Sequence, residues 1–178
     1  MANMITSLDA FDELFSNFVV NFLGMNKNKV FISYADEGQP MPHYKDNVCF
    51  VHTSEESDFV QMYKNRQEGY VKEDDKWKIT QTSMRKISVQ FTFYGSLADI
   101  NSITLKELLY FPGTNDWLHQ NNLAIIPSDI TLENKIHEEI NNRFWERAEL
   151  TVGFYNSVTL EQETDLIESL DLEVITQQ

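Results

Sequence analysis

One cysteine, four prolines and six glycines in 178 residues leave little room for several familiar chemistries. A lone thiol, Cys49, excludes an internal disulfide and any paired-cysteine zinc site. It stands in the apolar run Val48-Cys49-Phe50-Val51, which reads as a small buried hydrophobe rather than a nucleophile and suits a soluble protein of a reducing compartment. No run of about 18 apolar residues is present, so no membrane-spanning helix is expected. The apolar stretch Phe15–Gly24 follows Asp9, Asp12 and Glu13 instead of a basic leader, so no secretory signal is expected. Phosphate-binding loop, dinucleotide fingerprint, nucleophile elbow and His-Glu-x-x-His are all absent. Cations are scarce as well. Fourteen Lys and Arg face 28 Asp and Glu, for a formal net charge of -14. Residues 119–178 carry 12 acidic side chains against Lys135, Arg143 and Arg147. Nucleic-acid affinity comes largely from Lys and Arg displacing counterions, so this chain is not built to grip phosphates. Such a charge suits solubility, or a surface past which DNA slides without sticking.

What is present is a pair of alternating runs. In Met84–Gly95, Ile87, Val89, Phe91 and Phe93 fall on one face, with Ser88, Gln90, Thr92 and Tyr94 on the other. In Arg143–Tyr155, Leu150, Val152 and Phe154 alternate with Glu149, Thr151 and Gly153. A period of two with β-branched and aromatic residues predicts strands, and polar outer faces predict an antiparallel sheet covered on one side. Residues 7–23 predict a helix, with Ser7 as N-cap, Gly24 as stop and an apolar stripe through Phe11, Phe15, Phe18, Val19 and Phe22. A second helix is expected over 96–110 and a short one over 115–121, after the breaker Phe111-Pro112-Gly113. Short strands are expected at 30–34 and 47–53, separated by a loop over 36–47. Residues 77–82 and 85–94 fit either a hairpin or one long bent strand. Residues 123–126 read as short strand or loop, and 128–142 show no clear period. Asn156-Ser157 reads as a turn, with 166–175 as a last strand or an extended arm. The order predicts one α+β domain over residues 1–178, an antiparallel sheet packed on one face by helices. Residues 36–75 are expected to be a loop or hairpin insertion and 160–178 a C-terminal arm.

Candidate chemistry is thin. Asp129, Glu133 and His137 are spaced by four and would share a face if helical, a donor set suited to a divalent metal in a small enzyme. Pro127 and the poor apolar period argue against that helix. Glu73-Asp74-Asp75 reads as a solvated turn, since adjacent carboxylates rarely aim at one reacting centre. Trp77 and Trp117 read as core or interface anchors. Trp145, Glu146 and Arg147 suggest a local cation–π or ionic arrangement at the start of a strand. No catalytic centre, metal or cofactor is expected.

The order FTFYGSLADI (91–100), a helix, Ala124-Ile125-Ile126-Pro127, then FWERAELTVGF (144–154) resembles the neck or tail terminator proteins of long-tailed bacteriophages. The residues carrying the likeness are Tyr94 and Gly95, where a strand leads into a helix, and Trp145, Arg147 and Ala148, which open the later strand. The resemblance implies a structural virion protein, made in the host cytoplasm, and no enzyme. It implies a homo-hexameric ring at the head-proximal end of the tail tube that ends polymerisation. Its implied partners are the tail tube protein and the head–tail connector or stopper protein, with genomic DNA passing through the lumen and no membrane. Another head–tail joining or tail-tube component is the alternative of the same kind.

Overall fold

A computed structural model of the chain describes residues 6–33, 42–43, 45–56, 67–73, 76–140 and 142–164. Three helices and six strands are found there: α1 (Leu8–Leu23), β1 (Val30–Ile32), β2 (Val48–Glu56), β3 (Gln67–Glu73), β4 (Lys76–Tyr94), α2 (Ala98–Leu108), α3 (Pro112–Gln120), β5 (Leu123–Ile140) and β6 (Arg143–Thr164). The architecture is α+β, as the alternation and the helical stripes predict. One sheet has the order β1-β2-β4-β6-β5, with β3 alongside the first half of β4. All pairings are antiparallel except β1 with β2, which run parallel. The sheet is thus mostly antiparallel, as expected, with β1 added as a parallel strand at one edge.

Each element follows from its local chemistry. The Ser7 hydroxyl accepts from the Ala10 N–H at 3.2 Å, and Gly24, at φ 72°, takes the left-handed turn that ends α1. Its stripe buries Phe11, Phe15, Phe18 and Val19 against the sheet. Phe15 sits at the centre, 4.9 Å from the Phe154 ring and 6.1 Å from both Phe91 and Trp117. Each such ring contributes about 1.5–3 kcal/mol through burial. Trp117 packs on Phe15, Phe18 and Phe22, and is therefore the core anchor expected of it. The side chain of Trp77 lies outside the described residues. Ile87, Val89, Phe91 and Phe93 of β4 and Ala148, Leu150, Val152 and Phe154 of β6 are fully buried beneath the helices.

Pro112 does more than break a helix: it opens α3 three residues before the expected start, because a missing N–H costs nothing at that position. β4 is a single strand of 19 residues, without a turn at Ser83-Met84. Asn156-Ser157 is likewise no turn, since Asn156 pairs with Arg85 and Ser157 with Met84 inside a 22-residue β6. Polar residues 128–142, which lack a period, belong mostly to β5. Register shifts between Ile125 and Ile130 and between Glu133 and Ile136 break the alternation that would have revealed it.

The stretch 36–75 contains β2, which lies beside β4, and β3, which pairs with residues 76–82. Residues 34–41, 44, 57–66 and 74–75 lie outside the described residues, and with them most of the 36–47 loop and the Asp74-Asp75 part of the acidic turn. Of the 160–178 arm, Leu160–Thr164 continue β6 and the rest is not described. β3, the first half of β4 and the last third of β6 form a three-stranded ribbon that runs on past the strands pairing with the core. Arg85 marks its base. It donates to Asn156 Oδ1 at 3.0 Å and to the Thr6 carbonyl, and its guanidinium lies 5.2 Å from the Phe11 ring.

Candidate functional site

The helices cover one face of the sheet, so the chemistry of the other face decides what the protein can do. Side chains alternate along β4 and β6, and the residues that miss the core converge on that open face. Phe31, Phe50, Tyr94 and Trp145 cross it as a diagonal row over β1, β2, β4 and β6. Successive ring centroids are 5.3, 5.9 and 5.7 Å apart. Tyr94 and Trp145 meet edge to face at 88°, a favourable aromatic geometry.

Beside the row lies a charged network. The Tyr94 hydroxyl donates to Glu138 at 3.0 Å, and Arg147 donates to the same Glu138 oxygen at 3.0 Å and to Glu149. Gln90 donates to Glu149 at 3.2 Å. Burial, then the Glu138 hydrogen bond, push the Tyr94 hydroxyl up to about 12. Burial works against the Arg147 charge, but the Glu149 hydrogen bond and the surrounding negative groups outweigh it and hold its pKa up. Further along, Lys86 bridges Asp129 at 2.5 Å and Glu56 at 2.9 Å, and these hydrogen bonds raise its pKa. Gly153 is required beneath Asp129: a Cβ there would stand 2.5 Å from the Asp129 carboxylate.

At the centre of the open face, Glu56, Asp129, Glu133, Glu138 and Glu149 therefore surround Lys86 and Arg147, and each of those two cations already holds two carboxylates. A phosphate would find no described cation there that is not already engaged.

The five residues singled out by resemblance lie at one corner of the sheet, four of them at or beside the open face. Tyr94 pairs with Arg147 and Phe93 with Ala148 across β4 and β6, and Trp145 abuts Tyr94. Ala148 is fully buried, on the core side. Gly95 turns β4 into α2: its N–H donates to the Glu146 carbonyl at 3.0 Å, and its φ of 102° favours glycine. Asn47 closes the corner by accepting from the Leu97 N–H at 2.9 Å. Arg147 reaches Glu138 and Glu149 instead of forming the cation–π or ionic pair expected with Trp145 and Glu146. Nothing in the sequence spacing links Glu138 or Asn47 to this corner, because the strand pairing and the turn bring them in.

The enzyme alternative loses its geometry. Asp129, Glu133 and His137 lie on a strand with register shifts, not on a helix face. Asp129 is bound to Lys86, Glu133 pairs with Glu149, and His137 lines a separate cavity of about 350 Å³ with Asp99 and Glu146. Among the described residues no three His, Cys, Asp or Glu are placed to hold a metal. Cys49 is fully buried, and burial pushes its thiol well above the ordinary range. No helix among the described residues is long and apolar enough to cross a membrane.

An apolar core under three helices, a saturated acidic open face and a projecting ribbon describe a structural subunit of an assembly. The family is identified by sequence: residues 9–178 match the model of the phage neck terminator protein family, and the chain belongs to that family. Its role is structural, in the neck and tail of a bacteriophage, and membership implies contact with other head and tail proteins. No curated protein matches the chain.

Proposed function

We propose that six copies form a closed ring at the head-proximal end of the tail tube, where they end tube polymerisation, join the tail to the head connector and let DNA pass. Family membership supports the place in the virion. The observation that carries the passage of DNA is the centre of the open face, where five carboxylates surround Lys86 and Arg147 and both cations are already engaged within the chain. Turned toward the lumen, that network repels phosphates at short range, within about 10 Å at moderate salt, and keeps Lys86 and Arg147 from counterion-releasing contacts. A closed ring is heterologous, so each copy needs two different complementary surfaces. The chain acts as one unit, with the loop around 36–47, the α3 segment over 111–122 and the C-terminal arm meeting neighbours and partners.

The test is the solution mass and negative-stain image of the purified protein across a range of concentrations, with and without isolated tail tubes. Rings of about six subunits, with density capping one tube end, are the expected result. A protein that stays monomeric and ignores tube ends overturns the proposal. Open-ended polymers would instead identify a tube component.

A further inference from the structure

α1 turns its Phe11–Phe15–Phe18–Phe22 stripe to the sheet and leaves its flank, Ser16 to Val20, facing β1. β1 has only three residues, too short to cover that flank. The result is a groove of about 460 Å³ between Ser16 and Val20 on one side and Val30, Phe31 and Ile32 on the other, with Lys27 at its rim and Glu13 in its wall. Two features of its wall are unmatched among the described residues. The buried Ser16 hydroxyl has no hydrogen-bond partner, and Lys27 is exposed and in no ion pair, whereas its neighbour Lys29 is held by Asp46 at 3.0 Å.

The chain holds one segment of complementary chemistry. Residues 165–178, DLIESLDLEVITQQ, contain four carboxylates and no cation, and Leu170-Asp171-Leu172-Glu173-Val174 alternates apolar with acidic. An extended strand of that pattern presents one apolar edge to a groove and one acidic edge to its rim.

Geometry decides which copy it serves. The segment leaves β6 at Thr164, which pairs with Trp77 near the ribbon tip. The groove lies beside Ile32, level with Val51 of β2 and hence with Phe91 of β4. From Trp77 to Phe91 is 14 residues along β4, roughly 46 Å at strand rise. Val174, 10 residues beyond Thr164, reaches at most about 36 Å when fully stretched. Its own groove is therefore out of reach. We infer that the C-terminal segment of one copy lies in the α1–β1 groove of the next, its apolar residues against Val20 and Val30 and its carboxylates beside Lys27. The inference rests on the proposed assembly and supplies one of the heterologous contacts that assembly needs.

The experiment mixes two full-length single variants, Val20→Cys and Leu172→Cys, under mild oxidation, with the solution mass of each measured alongside. Cys49 is fully buried, so the wild-type background serves. The expected result is a reducible dimer that forms in the mixture and in neither variant alone, and that falls severalfold when Lys27→Glu is added to the Val20→Cys chain. Rings of normal mass without the mixed cross-link overturn this docking and leave the ring intact. A chain carrying both cysteines that closes within itself overturns it equally. Monomers at every concentration, with no mixed product, overturn the ring and the docking together.

Discussion

Gly95→Ala tests whether the corner between β4 and α2 is as tightly built as its geometry requires. At φ 102° a side chain is strained, which alone costs about 1–3 kcal/mol. The added Cβ would also stand 2.6 Å from the Asp46 carbonyl oxygen and 2.5 Å from Asn47 Oδ1. Asn47 must then retreat and release the Leu97 N–H it accepts at 2.9 Å, a further cost of roughly 1 kcal/mol for a lost capping bond. The expected loss is about 2–4 kcal/mol, or roughly 5–15 °C in melting temperature for a chain of this size. Gly113→Ala is the control, because nothing lies within 4 Å of its Cβ position and its φ is not in the left-handed range. Thermal and urea unfolding of both variants against wild type decide the matter. A Gly95→Ala protein within 0.5 kcal/mol of wild type, by the order-of-magnitude scale of surface substitutions, would refute the reasoning.

Two further perturbations read the electrostatics. Asp12 of α1 is buried, its Oδ1 has no hydrogen-bond partner, and burial raises its pKa while Thr53 pulls the other way. A carboxyl with a raised folded pKa contributes stability that is full below its ordinary value and is lost as pH rises through the raised one. Asp12→Asn should thus gain stability relative to wild type between pH 4 and neutrality, and urea midpoints that differ equally at both pH values would contradict this. In Glu138→Gln, Tyr94 loses a charged acceptor, so its titration should move down from about 12 toward the ordinary tyrosine range but not all the way, since burial is the larger cause. The sign is the same as for Asp12: wild type loses stability as pH climbs through the raised value, and the variant should do so at lower pH. Alkaline difference absorbance follows it, and an unchanged titration would mean that Glu138 does not hold the hydroxyl.

The sequence was most legible where burial on one side imposes a period. β4 and β6 were visible because Ile87 to Phe93 and Leu150 to Phe154 alternate strictly, and α1 because its phenylalanines recur at helical spacing. β5 was hidden for the same physical reason in reverse. Its two register shifts reset the alternation, Pro127 sits within it, and its inward residues Ile125, Ile130 and Leu132 are only partly covered. The ribbon was equally hard to read. Among its described side chains none is buried, so no hydrophobic period marks Lys78–Ser83 or Val158–Gln162. At the open-face corner, Tyr94, Gly95, Trp145, Arg147 and Ala148 could be picked out through resemblance, whereas Glu138 and Asn47 enter through pairings that sequence spacing does not encode.

The two faces of the sheet divide the work of such a subunit. On the helix side, Leu97, Ile100, Ile103, Tyr110 and Phe111 leave exposed apolar surface along α2 and the turn into α3, more than solubility alone would favour. The open face has the opposite character: its central cations Lys86 and Arg147 are taken up in ion pairs, and its aromatic row is packed ring against ring. Protein partners gain most by covering apolar area, whereas a polyanion is best passed by a surface without available cations. On the ring reading, contacts with tube and connector therefore belong to the helix side and the ribbon, and the open face belongs to the DNA path. Reversing that orientation would set the exposed apolar helix surface against DNA, where it buries nothing, and a net-acidic ion-pair network against protein neighbours, where desolvating it costs several kcal/mol.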